Sequence, residues 1–341
     1  MVFSKHLYGT RPYQPYFGFG DFCTVAKQQE LEERGLLPRG YRYQGGHFFW
    51  EPTAECTAAT VGDFLYEHYL SRYRAEDVEL VDPARRVFVL GGSLAVGSSA
   101  TNPERSWHAL LERTLARQFP PRAPRIFNCA MGAFISTQEL LALVLAVLPR
   151  RPNAVIFLNG LNDIAQPWTH GTRPGDPYNL STVLKYWYER PFVHGRADPQ
   201  AERSLERRTA AVLQNAEART LVQRSIANVY VQNMSRCIDL CRAADVKVAV
   251  CFQPWLEMSR RRLGLSVTEG GFAVGVAAAV EETFELIRQQ MTDLHSDAFY
   301  DLTGLIEHRD QLGRFSDPFH LDDNGQALLG EAVAKVVEAW F

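Results

Sequence analysis

From Arg86 onward, short runs of β-branched and aromatic residues alternate with stretches whose apolar positions recur every three to four residues. The runs are RVFVL (86–90), RIFNC (125–129), NAVIFL (153–158), VKVAVCF (246–252) and AFYDL (298–302). Between them Trp107, Leu110, Leu111 and Leu115 fall on one helical stripe, and Leu140, Leu143, Val144, Val147 and Leu148 on another. A longer amphipathic pattern passes through Leu221, Val222, Ile226, Val229, Tyr230, Met234, Cys237 and Ile238. The last passes through Ala327, Leu328, Ala332, Val333, Val336 and Val337. Strands that alternate with helices predict a parallel sheet covered on both faces. The expected fold class is α/β, a three-layer α/β/α sandwich around a central parallel sheet of about five strands.

Two regions break the alternation. Residues 1–80 open on a Tyr-, Gly- and Pro-rich stretch and end in a helical pattern around Gly62–Arg74. They are assigned as an N-terminal accessory extension to a domain spanning 81–341. Inside that domain, residues 165–215 set Trp168, Tyr178, Tyr186, Trp187, Tyr188 and Phe192 among glycine, proline and charge, ahead of an Arg- and Glu-rich helical pattern. The segment is too long for a plain connector. It reads either as a lid over the C-terminal edge of the sheet, walling a substrate pocket, or as a surface subdomain with its own packing.

Composition narrows the partners. With 341 residues, 46% of them apolar, the chain can bury a sizeable core. A formal charge of −3 and a pI near 6.3 offer no basic field for nucleic acid, so a small or neutral partner is expected. The opening MVFSKHLYGTRPYQPY carries no apolar signal core, and no stretch holds the ~18 uninterrupted apolar residues of a membrane span. A cytoplasmic protein with no membrane span is the expectation; the oligomeric state is left open. Cys23, Cys56, Cys129, Cys237, Cys241 and Cys251 form no C-x-x-C pair. Cys237 and Cys241 stand one helical turn apart on an apolar stripe, which assigns them to core packing, and no metal site is expected.

The candidate chemistry lies at strand ends. RVFVL runs into Gly91-Gly92-Ser93-Leu94-Ala95-Val96-Gly97, a glycine-hinged turn on which a serine can be exposed and backed by a helix N-terminus. Three other readings compete. A phosphate loop would start at Gly92, but Ser98 stands where its lysine belongs. A nucleophile elbow would read Gly91-x-Ser93-x-Ala95, with alanine in place of the last glycine. A structural turn needs no chemistry at all. After NAVIFL comes Asn159-Gly160-Leu161-Asn162-Asp163, where Asn162 can offer a side-chain N–H to an oxyanion and Asp163 suits loop hydrogen bonding. Asn128-Cys129-Ala130-Met131-Gly132-Ala133 also follows a strand, and a backbone N–H there could join the same hole. Open α/β sheets bind ligands at this carboxyl edge.

Near the end, Asp317-Pro318-Phe319-His320 lets one loop place a carboxylate against the imidazole Nδ1–H and leave Nε2 free to take a proton. Asp322 or Asp323 then serves as N-cap of the last helix. His6, His47, His68, His108, His170, His194, His295 and His308 show no metal-like pairing and read as structural or solvent-facing, with His170 and His194 placed to reach a substrate. Arg260, Arg261 and Arg262 read as a solvated helix face, or as an anion site for an acyl-carrier or phosphorylated substrate.

Taken together these motifs resemble the SGNH, or GDSL-type, hydrolase family over Arg86–Phe341. GGSLAVG is similar to its first block, NCAMGAF to the second, GLND to the third and DPFH to the fifth. The resemblance implies an SGNH-hydrolase fold, flavodoxin-like in layout, and a serine esterase acting on a small-molecule ester or acyl substrate through an acyl-enzyme, without cofactor or metal. It assigns Ser93 as nucleophile and oxyanion donor, Asn162 as side-chain donor, His320 as base then acid, and Asp317 as its orienting partner. The block-two donor falls on Gly132 or Ala133, depending on register. Gly92 departs from the aspartate usual in the family. In an α/β-hydrolase the acid and histidine come from separate loops, which sets the elbow reading apart. An acyltransferase or carbohydrate deacetylase on the same fold, and a non-catalytic binding module, remain as alternatives.

Overall fold

The computed structural model describes residues 41–43, 50–52, 78–176, 209–265 and 275–341. The expected helix around Gly62–Arg74, the aromatic cluster from Tyr178 to Phe192, Cys23, Cys56, His6, His47, His68 and His194 lie outside the described residues. Two short strands, β1 (Tyr41–Tyr43) and β2 (Trp50–Pro52), pair antiparallel.

Five parallel strands form the central sheet: β3 (Arg86–Gly91), β4 (Arg125–Asn128), β5 (Ala154–Asn159), β6 (Lys247–Phe252) and β7 (Phe299–Asp301). Their order is β4-β3-β5-β6-β7. Each of the five apolar runs has become a strand. Because successive side chains point to opposite faces, Val87 and Val89 of β3 enter one core while Phe88 and Leu90 enter the other.

Among the described residues the helices that flank the sheet include α1 (Ser93–Val96), α2 (Trp107–Gln118), α3 (Ser136–Ala142), α4 (Leu161–His170), α5 (Ala216–Ala243), α6 (Leu256–Arg262), α7 (Val276–His295) and α8 (Asp323–Val337). Trp107, Leu111 and Leu115 of α2 and Leu329, Val333 and Val337 of α8 cover the face of Val87, Val89, Ile156 and Cys251. On the other face α5 and α7 bury Ile226, Tyr230, Met234, Phe284 and Ile287 against Phe88, Phe157 and Phe252. With both faces covered, the central strands β3 and β5 are buried along their whole length, and the architecture is the three-layer sandwich. Phe252 stacks on Phe284 at 4.0 Å and lies 5.5 Å from Tyr230, so the carboxyl end of β6 is rigidly packed.

Two elements differ from the sequence reading. The apolar stripe of α7 (Val276, Ala279, Val280, Phe284, Ile287, Met291) has helical spacing but is diluted by EE, RQQ and TD. Helix α4 runs through position 165, where the aromatic insertion is expected to begin. Leu161, Ile164 and Trp168 recur along one side of it, and Trp168, 3% exposed, belongs to the main core. Cys237 and Cys241 are buried on α5, as their stripe predicts.

Candidate active site

Four loops meet at the carboxyl edge of the sheet. The first begins where β3 ends at Gly91. Gly92 is the N-cap of α1 in an extended conformation, which makes Ser93 the first helical residue and leaves its N–H without an intrahelical acceptor. The helix is one turn long and stops at Gly97, whose φ of +82° is the left-handed closure that glycine accepts without a Cβ clash. Ser93 is half-buried.

The second loop follows β7 and carries Asp317-Pro318-Phe319-His320. Asp317 Oδ1 accepts from the backbone N–H of Phe319 at 2.8 Å and of His320 at 3.0 Å, so the carboxylate shapes the turn that brings the imidazole back onto it. His320 Nδ1 then lies 2.9 Å from Oδ1 and 2.8 Å from Oδ2. Donation from Nδ1–H to Asp317 is the tautomer this network selects, and it leaves Nε2 as an acceptor. Nε2 is 2.7 Å from Ser93 Oγ, across 227 residues of chain. His320 is 2% exposed. Burial works to raise the pKa of Asp317, but the imidazole contact and the two backbone N–H groups outweigh it and hold the carboxyl below its ordinary value. The loop is pinned from outside: Leu256 N–H donates to Pro318 O at 3.0 Å and Ser316 N–H to His320 O at 2.9 Å.

The third loop follows β5. Gly160 takes φ +107°, and a Cβ there would stand 1.9 Å from Phe252 Cε2, so only glycine lets the strand turn directly into α4. That turn places Asn162 in the first turn of α4. Its Nδ2 donates to Phe134 O at 2.9 Å, and its second N–H remains for another acceptor. A Cβ added to Gly92 would stand 2.4 Å from Nδ2, so Asn162 lies against the residue preceding Ser93.

The fourth loop, after β4, holds Gly132 and Ala133. Met131 N–H donates to Gly91 O at 3.0 Å, and Asn128 Nδ2 donates to Ala95 O at 2.8 Å, which fastens this loop to both sides of Ser93. The positive φ falls on Ala133 (+63°), whose carbonyl accepts from Gln166 Nε2 at 2.8 Å. The glycine-favouring conformation of the loop therefore sits at Ala133, not at Gly132, and an L-residue there costs about 1–2 kcal/mol of backbone strain. Among the described residues, neither Gly132 nor Ala133 spends its N–H on an acceptor.

Beneath this edge lies a polar layer that sequence reasoning does not assemble. Asp163 accepts from Ser136 N–H at 3.0 Å and from its hydroxyl, and Asn233 Nδ2 donates to Ser136 Oγ at 3.0 Å. Glu139 accepts from Asn159 Nδ2, while Asn159 Oδ1 accepts from Tyr230 Oη at 2.7 Å. Burial pushes Asp163 up to about 7, against its hydrogen bonds from Ser136. Glu139 is raised well above its ordinary value by burial and by the nearby Asp163. The sequence signal was Asp163 in GLND; Tyr230 read as a position on an amphipathic helix, and Glu139 carried no signal of its own.

Other candidates fall outside the edge. Arg261 pairs with Glu281 at 2.6 Å and Arg262 with Asp301 at 2.8 Å, and Arg260 lies 3.9 Å from Glu257, so the triplet is spent on carboxylates. His295 is bonded to Ser235 Oγ at 2.7 Å. Among the described residues no group of three or more His, Cys, Asp or Glu is placed to hold a metal ion, and no helix is long and apolar enough to cross a membrane.

The profile of the GDSL-like lipase/acylhydrolase family matches residues 89–328. No match is found among curated proteins. Among solved structures, the acetyl xylan esterase AlAXEase is 14% identical, with 74% of this chain and 99% of that one covered and a TM-score of 0.47. A lipase/acylhydrolase from Enterococcus faecalis is 13% identical, covering 75% and 96%, with a TM-score of 0.43. A catalytic mutant of an acetylxylan esterase from Geobacillus stearothermophilus is 11% identical, covering 75% and 95%, with a TM-score of 0.45.

Proposed function

The chain belongs to the GDSL-like lipase/acylhydrolase family, and from that premise we propose that Ser93, His320 and Asp317 form the triad of its acyl-ester hydrolysis. Membership makes the protein an SGNH-type esterase or acyl hydrolase; the residue roles and the two-step course are our reading. The observation that carries it is the unbroken line of hydrogen bonds from Ser93 Oγ through both imidazole nitrogens to Asp317.

In the first step Oγ forms a bond to the substrate carbonyl carbon as its proton passes to His320 Nε2. The carbonyl oxygen becomes an oxyanion, and the N–H groups of Ser93, of Gly132 or Ala133, and of Asn162 are its donors. His320 then gives its proton to the leaving alcohol as the C–O bond breaks, which leaves an acyl-serine. Water attacks that ester, His320 takes its proton, and the carboxylic acid departs as Ser93 is protonated again. Asp317 keeps Nδ1 protonated and stabilises the imidazolium at each stage without taking the proton itself.

The test is reaction with a fluorophosphonate, followed by mass mapping, together with turnover of an activated ester by Ser93→Ala. A single adduct on Ser93 and a variant reduced to background are expected. Full turnover by Ser93→Ala would remove the nucleophile assignment.

A further inference from the structure

The contact between Ser93 and His320 depends on two segments far apart in sequence, and two side chains on the first turns of α8 join them. Asp322 caps that helix, accepting from Gly325 N–H at 2.8 Å, so the adjacent Asp323 is free for other work. Asp323 Oδ1 accepts from Thr101 N–H at 2.7 Å, and Oδ2 accepts from Thr101 Oγ1 at 2.6 Å and Arg105 Nη1 at 3.0 Å. Gln326, three residues on and fully buried, uses both ends of its amide. Its Oε1 accepts from Trp107 N–H at 3.0 Å, while Nε2 reaches Ser98 O and Leu321 O at 3.2 Å each.

Three of these groups are tied directly to the turns that carry the reacting residues. Leu321 directly follows His320. Ser98 N–H donates to Ser93 O at 3.1 Å, which makes Ser98 the end of the serine turn. Trp107 Nε1 donates to Ala95 O at 3.1 Å, inside α1 itself. Between Ser98 and Thr101 stands Ser99 with φ +75°, a conformation that a non-glycine residue keeps only where its surroundings over-determine it. The segment 98–107 is thus held in a set shape from the α8 side.

Resting on the triad reading above, we propose that Asp323 and Gln326 are positioning residues that clamp the segment after Ser93 to the loop of His320 and so set the distance between Oγ and Nε2. Neither touches the reacting atoms. A nucleophile and base held by two separate loops lose rate steeply when the loops drift, because a small misplacement at a reacting centre costs far more in turnover than in folding.

The experiment uses the full chain and an activated acetate ester. Asp323→Ala, Asp323→Asn and Gln326→Leu are measured for kcat and KM in the wild-type background and again beside His320→Ala, with thermal melts to verify folding. We expect Asp323→Ala to lower kcat about tenfold with KM nearly unchanged. Asp323→Asn, which keeps an oxygen for Thr101 N–H, should recover part of that loss. Beside His320→Ala, where no base remains to be positioned, the same substitutions should lower the residual rate no further. A folded Asp323→Ala with wild-type kcat would overturn the clamp, as would an equal fall beside His320→Ala. If Asp323→Ala shows no melting transition, the isosteric Asp323→Asn decides by the same two comparisons. His320→Ala turning over at the wild-type rate would overturn the triad first, a result seen before any clamp variant is read.

Discussion

Gly92 and Asn162 occupy adjoining space: a Cβ on Gly92 would stand 2.4 Å from Asn162 Nδ2, with the backbone of Gly92 in an extended conformation open to any residue. Substitution at 92 therefore strains nothing in the main chain, and what gives way is the Asn162 amide and its bond to Phe134 O. The family's usual aspartate is for this reason unsuited here, and Gly92→Asp should lower activity where a simple return to the family pattern would raise it. Gly92→Ala isolates the effect. We expect kcat to fall toward the ~10²–10³ typical of a lost oxyanion donor, with a melting temperature close to wild type. Unchanged kcat in Gly92→Ala would show that Asn162 is not a donor in the reaction.

Asp317 does two jobs, shaping the turn through the N–H groups of Phe319 and His320 and holding Nδ1. Asp317→Asn can still accept the backbone bonds through its amide oxygen. Its NH₂ cannot accept from Nδ1–H, so the imidazole is driven to the tautomer with Nε2 protonated. A fall in kcat of ~10³–10⁴ with little change in KM is expected. Steady-state kinetics on an activated ester reads it, and a fall of only a few fold would place the orienting group elsewhere.

The sequence disclosed the sheet well because β3 and β5 are buried along their whole length and β6 over its last four residues, and such strands are written as continuous apolar runs like NAVIFL and VKVAVCF. Ser93 and Asn162 could be placed for a related reason: their motifs follow the ends of β3 and β5 directly, and the fold gathers strand ends at one edge, whereas Asp317 and His320, sixteen and nineteen residues beyond the end of β7 at Asp301, were signalled by their mutual spacing alone. The clamp was not legible. Asp323 and Asp322 look alike as N-caps, and only the direction of each side chain, one toward Gly325 and the other toward Thr101, separates their roles. The layer of Glu139, Asn159 and Tyr230 was hidden by its composition, since each member lies on a different element with no spacing to connect them. In the second block residue identity misdirects the reading of the backbone, because the positive φ sits on Ala133 and not on Gly132.

Gly160 couples stability to the placement of Asn162. At φ +107°, with Phe252 1.9 Å from where a Cβ would go, Gly160→Ala adds overpacking of ~1–3 kcal/mol to left-handed strain of ~1–2 kcal/mol. The ring cannot step aside, since Phe252 is stacked on Phe284. A clear drop in denaturant midpoint is expected, together with a loss of kcat larger than the fraction unfolded accounts for. Wild-type stability in Gly160→Ala would mean that β6 can yield at this point.

The buried acids under the site set how stability responds to pH. Burial raises Asp163 to about 7 from an ordinary 3.8, and raises Glu139 as well. Between those two values the folded protein holds protons that the unfolded chain has released, so unfolding releases protons and stability falls as pH rises through that window. Asp317 and Asp323 act in the opposite sense: their pKa values are lowered in the fold, so their contribution is present above the ordinary carboxylate range and is lost as pH falls below it. Asp163→Asn keeps an oxygen for Ser136 and removes the charge that burial disfavours. Its melting temperature should decline less than that of wild type from about pH 5 to about pH 8, a slope that Glu139 keeps from vanishing altogether. Parallel curves for the two proteins would mean that Asp163 is ionised throughout that range and that its bonds from Ser136 outweigh the cost of burial.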